Sequence, residues 1–129
     1  MDRYVAVRLR RTGAVIVADA RRCESFLCRL RGLMFRRGLR PGEALLLREA
    51  VAGRLATSIH MFFVPFPIAA VWIDDAGRVV DKVLALPWRP YYAPRAPARY
   101  TLEAAPDLLE RISVGDEVDF VDVPPAAGR

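Results

Sequence analysis

Turn signals divide this chain into short runs, and that punctuation limits the fold more than any other feature. Ten prolines and eight glycines are spread along 129 residues. Between them, apolar residues recur with the two-residue period of a half-buried strand. Residues 69–74 and 78–86 flank Asp75-Ala76-Gly77. Aspartate and glycine there favour a tight turn, so the two runs are expected to pair as a hairpin.

The same pattern recurs elsewhere. Val5, Val7 and Leu9 alternate with Arg8 and Arg10, and Thr12-Gly13 offers a turn into a return strand at 14–17. Further strands are expected at 44–48, 57–64, 99–103 and 117–121. Only two segments read as helices. Cys23, Phe26, Leu27 and Leu30 recur at helical spacing and stop at Gly32. Pro106 and Asp107 suit the first turn of a short helix over 107–112. The segment from Pro87 to Pro97 holds four prolines and is read as a functional loop.

The expected architecture is therefore α+β and strand-dominated: a mostly antiparallel curled sheet or small barrel with two short helices. Residues 1–123 form one strand-rich domain, and 124–129 (Pro-Pro-Ala-Ala-Gly-Arg) form a frayed tail.

Charge and cysteine usage exclude more than they assign. Residues 1–60 carry 13 basic and 5 acidic groups, or +8, and residues 61–129 carry 7 and 10, or −3. Seven arginines fall between Arg21 and Arg40 against one acid, Glu24. That field could draw nucleic acid. Yet Lys82 is the single lysine among 20 basic residues, and an arginine bias over the whole chain reads more simply as compositional. No apolar run reaches the roughly 18–20 residues of a membrane-spanning helix. The opening Met1-Asp2-Arg3-Tyr4 lacks the pattern of a secretory signal. A cytoplasmic protein without a membrane partner is expected. Cys23 and Cys28, placed on one continuous helix, would stand about 140° apart and could not bridge. With His60 as the only histidine, no metal site and no cofactor is expected.

Gly32-Leu33-Met34-Phe35-Arg36, Ile59-His60-Met61-Phe62-Phe63, Phe66-Pro67-Ile68 and Val71-Trp72-Ile73-Asp74 occur in that order, followed by Pro87-Trp88-Arg89, Ala98-Arg99-Tyr100-Thr101-Leu102-Glu103 and Gly115-Asp116-Glu117-Val118. Over roughly residues 5–121 this series closely resembles the prokaryotic family called domain of unknown function 192. The resemblance implies a small, strand-dominated α+β fold and brings no established activity. Relatives commonly carry an acid directly after the Pro-Ile step, where this chain has Ala69.

Candidate site residues divide between structural and functional readings. His60 is the one side chain whose ordinary pKa lies near neutrality. Read as mid-strand between Ile59 and Met61, it is expected to be structural, with a general base as the alternative. Asp74 and Asp75 read as turn formers. Cys23 reads as core, and Cys28 as a passive thiol. Trp88, Arg89, Tyr91 and Tyr92 gather aromatic and cationic groups in the proline-stiffened loop, a composition favoured at binding surfaces. The leading functional expectation is a non-enzymatic accessory domain binding a small molecule or protein. An enzyme using His60 and a nucleic-acid binder through Arg21 to Arg40 are the alternatives.

Overall fold

The computed structural model describes residues 3–124. Seven strands, β1 (Tyr4–Leu9), β2 (Val15–Cys23), β3 (Glu43–Gly53), β4 (Ile68–Ile73), β5 (Val79–Ala85), β6 (Ala98–Ala104) and β7 (Val118–Val123), form one sheet. Its order is β5-β4-β6-β3-β2-β1-β7. The sheet is strand-dominated as expected and curls into a half-barrel. Its two outer strands meet where Arg78 pairs with Glu117 and the Val79 amide donates to the Asp116 carbonyl.

Pairing is mostly antiparallel as expected, with β2 and β3 alone running parallel among the described strands. The connection between them, residues 24–42, is long enough for the crossover that parallel pairing requires. Two other expectations are corrected. Of the two helices, one remains: α1 (Phe26–Arg31), capped by Ser25 and ended by Gly32, whose φ of 48° is left-handed. The second is a 3-10 turn at Pro106–Glu110. Residues 57–64 are a loop rather than a strand, with Ile59 making an isolated bridge to Tyr92. The frayed tail lies, apart from Pro124, outside the described residues.

The hairpin of β4 and β5 forms as the turn chemistry dictates. The Asp74 carboxylate accepts from the Ala76 and Arg78 amides, and Gly77 adopts a φ of 85°. A side chain at Gly77 would also meet the Val118 carbonyl at 2.6 Å. Every residue of β4 is buried, which requires cover on both faces of the sheet. On one face Ala69, Val71 and Ile73 join Val5, Val7, Leu46, Leu102 and Val118, under Leu108 and Ile112. On the other, Leu45, Leu47 and Ile68 pack beneath Leu33, Met61 and Val64, and Trp72 packs beside Ala70 and Ala98.

Candidate functional site

Three long connections, residues 24–42, 54–67 and 86–97, contribute the cover of that second face and are bonded to one another. The Phe35 amide donates to the Phe63 carbonyl, the Trp88 amide to the Met61 carbonyl, and the Met61 amide to the Arg89 carbonyl. Ile59 and Tyr92 exchange both backbone bonds, and the Trp72 indole reaches up from the sheet to the Thr57 carbonyl at 2.7 Å. The loops therefore form a fixed roof, because their backbone groups are satisfied across loops.

Between the first two of these connections and the sheet lies a cavity of about 270 Å³. Its walls come from the end of α1 and the turn after it, from residues 57–64, and from β3, β4 and β6. Leu47, Met34, Met61, Val64 and Ile68 make it apolar, and Thr57, Ser58, His60, Thr101 and Glu103 add polar atoms. Glu103 is 5% exposed. Among the described residues its side chain has no hydrogen bond or ion pair. A carboxyl buried without a donor holds its proton more tightly, and burial pushes Glu103 up to about 7. Gly32 ends α1 beside it; a methyl there would stand 3.7 Å from Oε1, an ordinary contact, so the φ of 48° and not a lack of space favours glycine.

His60 lines the same cavity, but its surroundings differ from those expected. It sits in a loop and is half-buried, not mid-strand between two covered faces. The loop turns at this point, so Nδ1 accepts from the Phe62 amide two residues on at 3.1 Å. In the neutral ring the proton then lies on Nε2. Arg29 and Glu49 form an ion pair at 3.2 Å on the cavity wall.

Cys23 and Cys28 form a disulfide with Cα atoms 5.5 Å apart, which corrects the reading of a core residue and a passive thiol. The 140° argument assumed one helix through both residues. Cys23 instead ends β2, and the chain turns at Ser25 before α1 begins. The bridge ties the helix that walls the cavity to the sheet. Leu27 and Leu30, expected on a buried stripe, are exposed on a helix of only six residues. The side chain of Phe26 lies outside the described residues.

The aromatic loop divides. Trp88 and Tyr91 are about half exposed and Arg89 is exposed. Tyr92 packs partly buried on the sheet side, and its hydroxyl accepts from the Leu86 amide. Trp88 belongs to a cluster that no single segment of sequence reveals. Phe35 stacks on Phe63 with ring centres 4.9 Å apart, and Phe63 meets Trp88 edge-on at 5.1 Å. Among the described residues these three are also the non-glycine residues with positive φ, at 65°, 60° and 66°. Phe35 follows Met34 and Phe63 precedes Val64, so the cluster stands beside the cavity on the loops that roof it.

The basic run is partly neutralised. Arg22, Arg29, Arg36 and Arg40 pair with Glu24, Glu49 and Glu43, and Arg21 donates to the Cys28 sulfur. Asp75 pairs with Arg99 at 2.7 Å, and that hydrogen bond holds its carboxyl below the usual range. Ala69, where the resemblance implies an acid, is fully buried among apolar side chains on the face away from the cavity. Glu103 was missed as a site residue. The available signal was an acid within a strand, residues 98–104, that is otherwise mostly apolar near its end.

Comparison with known proteins places this geometry in a group without an assigned activity. The sequence profile of the family DUF192, described as Uncharacterized ACR, matches residues 7–120. A UPF0127 protein of Thermococcus sibiricus is 34% identical over 84% of this chain and 67% of its own length. A second, from Thermococcus gammatolerans, is 37% identical over 76% of this chain and 61% of its own length. The chain thus spans about two thirds of these relatives. Among solved structures, a candidate transcription regulator from Sinorhizobium meliloti 1021 superposes with a TM-score of 0.78 at 21% identity, over 93% of this chain and 94% of that one. That likeness is one of fold.

Proposed function

The chain belongs to the uncharacterised family DUF192, and because membership brings no activity with it, we propose from the site itself that this is a small-molecule-binding domain. One observation carries the reading. Glu103 is a buried carboxyl that lines a cavity and meets no donor from its own chain. Its oxygens open onto the cavity instead of being sealed inside the protein, so a donor on a guest can reach them. A fixed roof over a mixed apolar and polar cavity is the usual form of a ligand site. The rim offers a second contact surface through Trp88, Arg89 and Tyr91, with Phe35 and Phe63 beside them. Tyr92 supports it from beneath. No cofactor and no nucleic acid is invoked.

The test is a fragment screen by protein-observed NMR on the full chain, repeated on Val64→Trp, which fills the cavity. Hits that shift amides of β3, β6 and 57–64, and that disappear in the filled variant, support the reading. Hits that persist in the filled variant place binding elsewhere and defeat it.

A second reading, an acid–base enzyme, draws on the same cavity. A carboxyl near neutrality can both give and take a proton, and His60 lines the cavity with it. For location, no helix among the described residues is long and apolar enough to cross a membrane. Cytoplasmic residence is the expectation from sequence. The Cys23–Cys28 bridge favours an oxidising compartment instead, and thiol counting on protein from its native cell decides between them.

A further inference from the structure

We propose that the cavity selects a ligand bearing a protonated primary amine on a short aliphatic body, with Glu103 as its counter-charge; the inference rests on the small-molecule reading above and names the ligand class. The argument comes from which polar atoms of the lining still have something to offer. Thr57 Oγ1 donates to the Gly53 carbonyl at 2.7 Å, Ser58 Oγ to the Leu55 carbonyl at 2.8 Å, and Thr101 Oγ1 to the Thr57 carbonyl at 3.3 Å. A hydroxyl has one proton. All three are committed to backbone oxygens, so these side chains can present only lone pairs to a guest. An ionised Glu103 also only accepts.

The donors on the lining sit on less buried side chains. Arg29, only partly buried, gives Nε to Glu49 and one Nη proton to the Glu24 carbonyl and keeps three N–H groups. His60 has Nε2 to offer, and Arg31 lies exposed at the rim, where water and salt screen its charge. The fully buried polar side chains of the lining, Thr57, Thr101 and Glu103, are therefore all acceptors, and Glu103 is the one ionisable group among them, since Glu49 is only partly buried and paired with Arg29. An ammonium group supplies three donors and one positive charge. It would satisfy the carboxylate, and it would relieve the burial that raises Glu103 to about 7. A carboxylic acid would bring acceptors against acceptors, and an alcohol offers one donor and no charge. Leu33, Met34, Leu47, Met61, Val64 and Ile68 supply the apolar wall for the body of the ligand. At about 270 Å³ the space is smaller than the roughly 300–1,000 Å³ that drug-sized ligands occupy, which limits the guest to a small amine.

The experiment measures binding of hexylamine, 1-hexanol and hexanoate to the full chain at pH 8 by NMR titration, on the wild type and on Glu103→Gln. Hexylamine is expected to bind in the cavity at least tenfold more tightly than hexanol, and hexanoate more weakly still. Glu103→Gln is expected to lower hexylamine affinity at least tenfold and to leave hexanol unchanged. Equal affinity for hexylamine and hexanol would overturn the amine class while the small-molecule reading stands. Hexylamine binding that ignores Glu103→Gln would also overturn it. Binding of none of the three, together with an empty fragment screen, would bring down both readings. Selectivity in the wild type decides the matter even if the variant fails to fold.

Discussion

Replacing Glu103 by glutamine should make the protein more stable at neutral and alkaline pH and change little in acid. The side chain keeps its shape and loses its titration. In the wild type the carboxyl titrates near 7 when folded, against 4.5 for an unburied glutamate. The folded state therefore binds a proton that the unfolded state has released, throughout the window from about 4.5 to about 7. Stability falls as pH rises wherever the native state holds more protons. Wild-type stability should thus drop through this window and level off above it. A difference of about 2.5 units at roughly 1.4 kcal/mol each gives a loss on the order of 3 kcal/mol. The amide has no such dependence, so the two stability curves should converge near pH 4.5 and separate up to pH 8. At a few degrees per kcal/mol for a domain of this size, the gap in Tm should be on the order of 10 °C. Thermal melts of both proteins from pH 4 to pH 9 measure it, and the difference curve cancels every other titrating group. Parallel curves would refute the reasoning, since they would mean that Glu103 gains a partner or solvent when folded.

Other perturbations separate the parts of the site. Reducing the Cys23–Cys28 bridge, or Cys28→Ser, should cost about 2 kcal/mol from the small loop it closes, read as a lower Tm with reductant; an unchanged Tm means that the thiols were already free. His60→Ala should alter stability by no more than about 0.5 kcal/mol, because the ring is half-buried and bonded to its own loop; a loss near 2 kcal/mol would restore the structural role. Trp72→Phe removes the buried indole bond to the Thr57 carbonyl and should cost roughly 1–2 kcal/mol, with faster amide exchange confined to 54–67 if that bond anchors the roof. Phe35→Gly should leave Tm unchanged or raise it, and a fall of more than a few degrees would show that the ring holds the loop in place.

The fold was legible where a few neighbouring residues determine it. The β4–β5 hairpin follows from Asp74 and Gly77, whose turn geometry needs nothing from the rest of the chain. Strand β2 was read too short because Ala18 to Arg22 lacks an apolar alternation. It is held by β1 on one side and β3 on the other, and that support is tertiary. The reading of 57–64 as a strand failed for the opposite reason. Ile59, Met61 and Val64 are apolar because they anchor a loop to the sheet, and buried anchors can imitate a period of two. The parallel pairing was hidden because its crossover contains a helix of six residues, Phe26–Arg31, too brief to announce a crossover. Glu103 was legible as a residue but not as a site. Its meaning depends on the absence of a partner, and that is a property of two loops and a sheet together.

The aromatic cluster is the part of the site that sequence reasoning could reach least, and it carries a physical argument of its own. A bulky residue at positive φ is costly, on the order of 1–2 kcal/mol. Glycine would hold the same backbone without that cost. Phe35, Phe63 and Trp88 each accept it, in three separate connections, and each leaves about half or more of its surface in water. Rings so exposed return little through burial, and their mutual contacts add roughly 0.5–1.5 kcal/mol per pair. Against a total stability of roughly 5–15 kcal/mol, three such positions make a poor device for folding. They are a consistent device for display: the left-handed turn lifts each ring off its loop and brings it against the next, and the backbone bonds Phe35 to Phe63 and Trp88 to Met61 fix the arrangement. The sign of φ is not written in a sequence, so Phe-Arg, Phe-Val and Trp-Arg look like ordinary loop pairs until the roof is assembled. Once assembled, two of the three connections that present the rings, those of Phe35 and Phe63, also wall the cavity that holds Glu103.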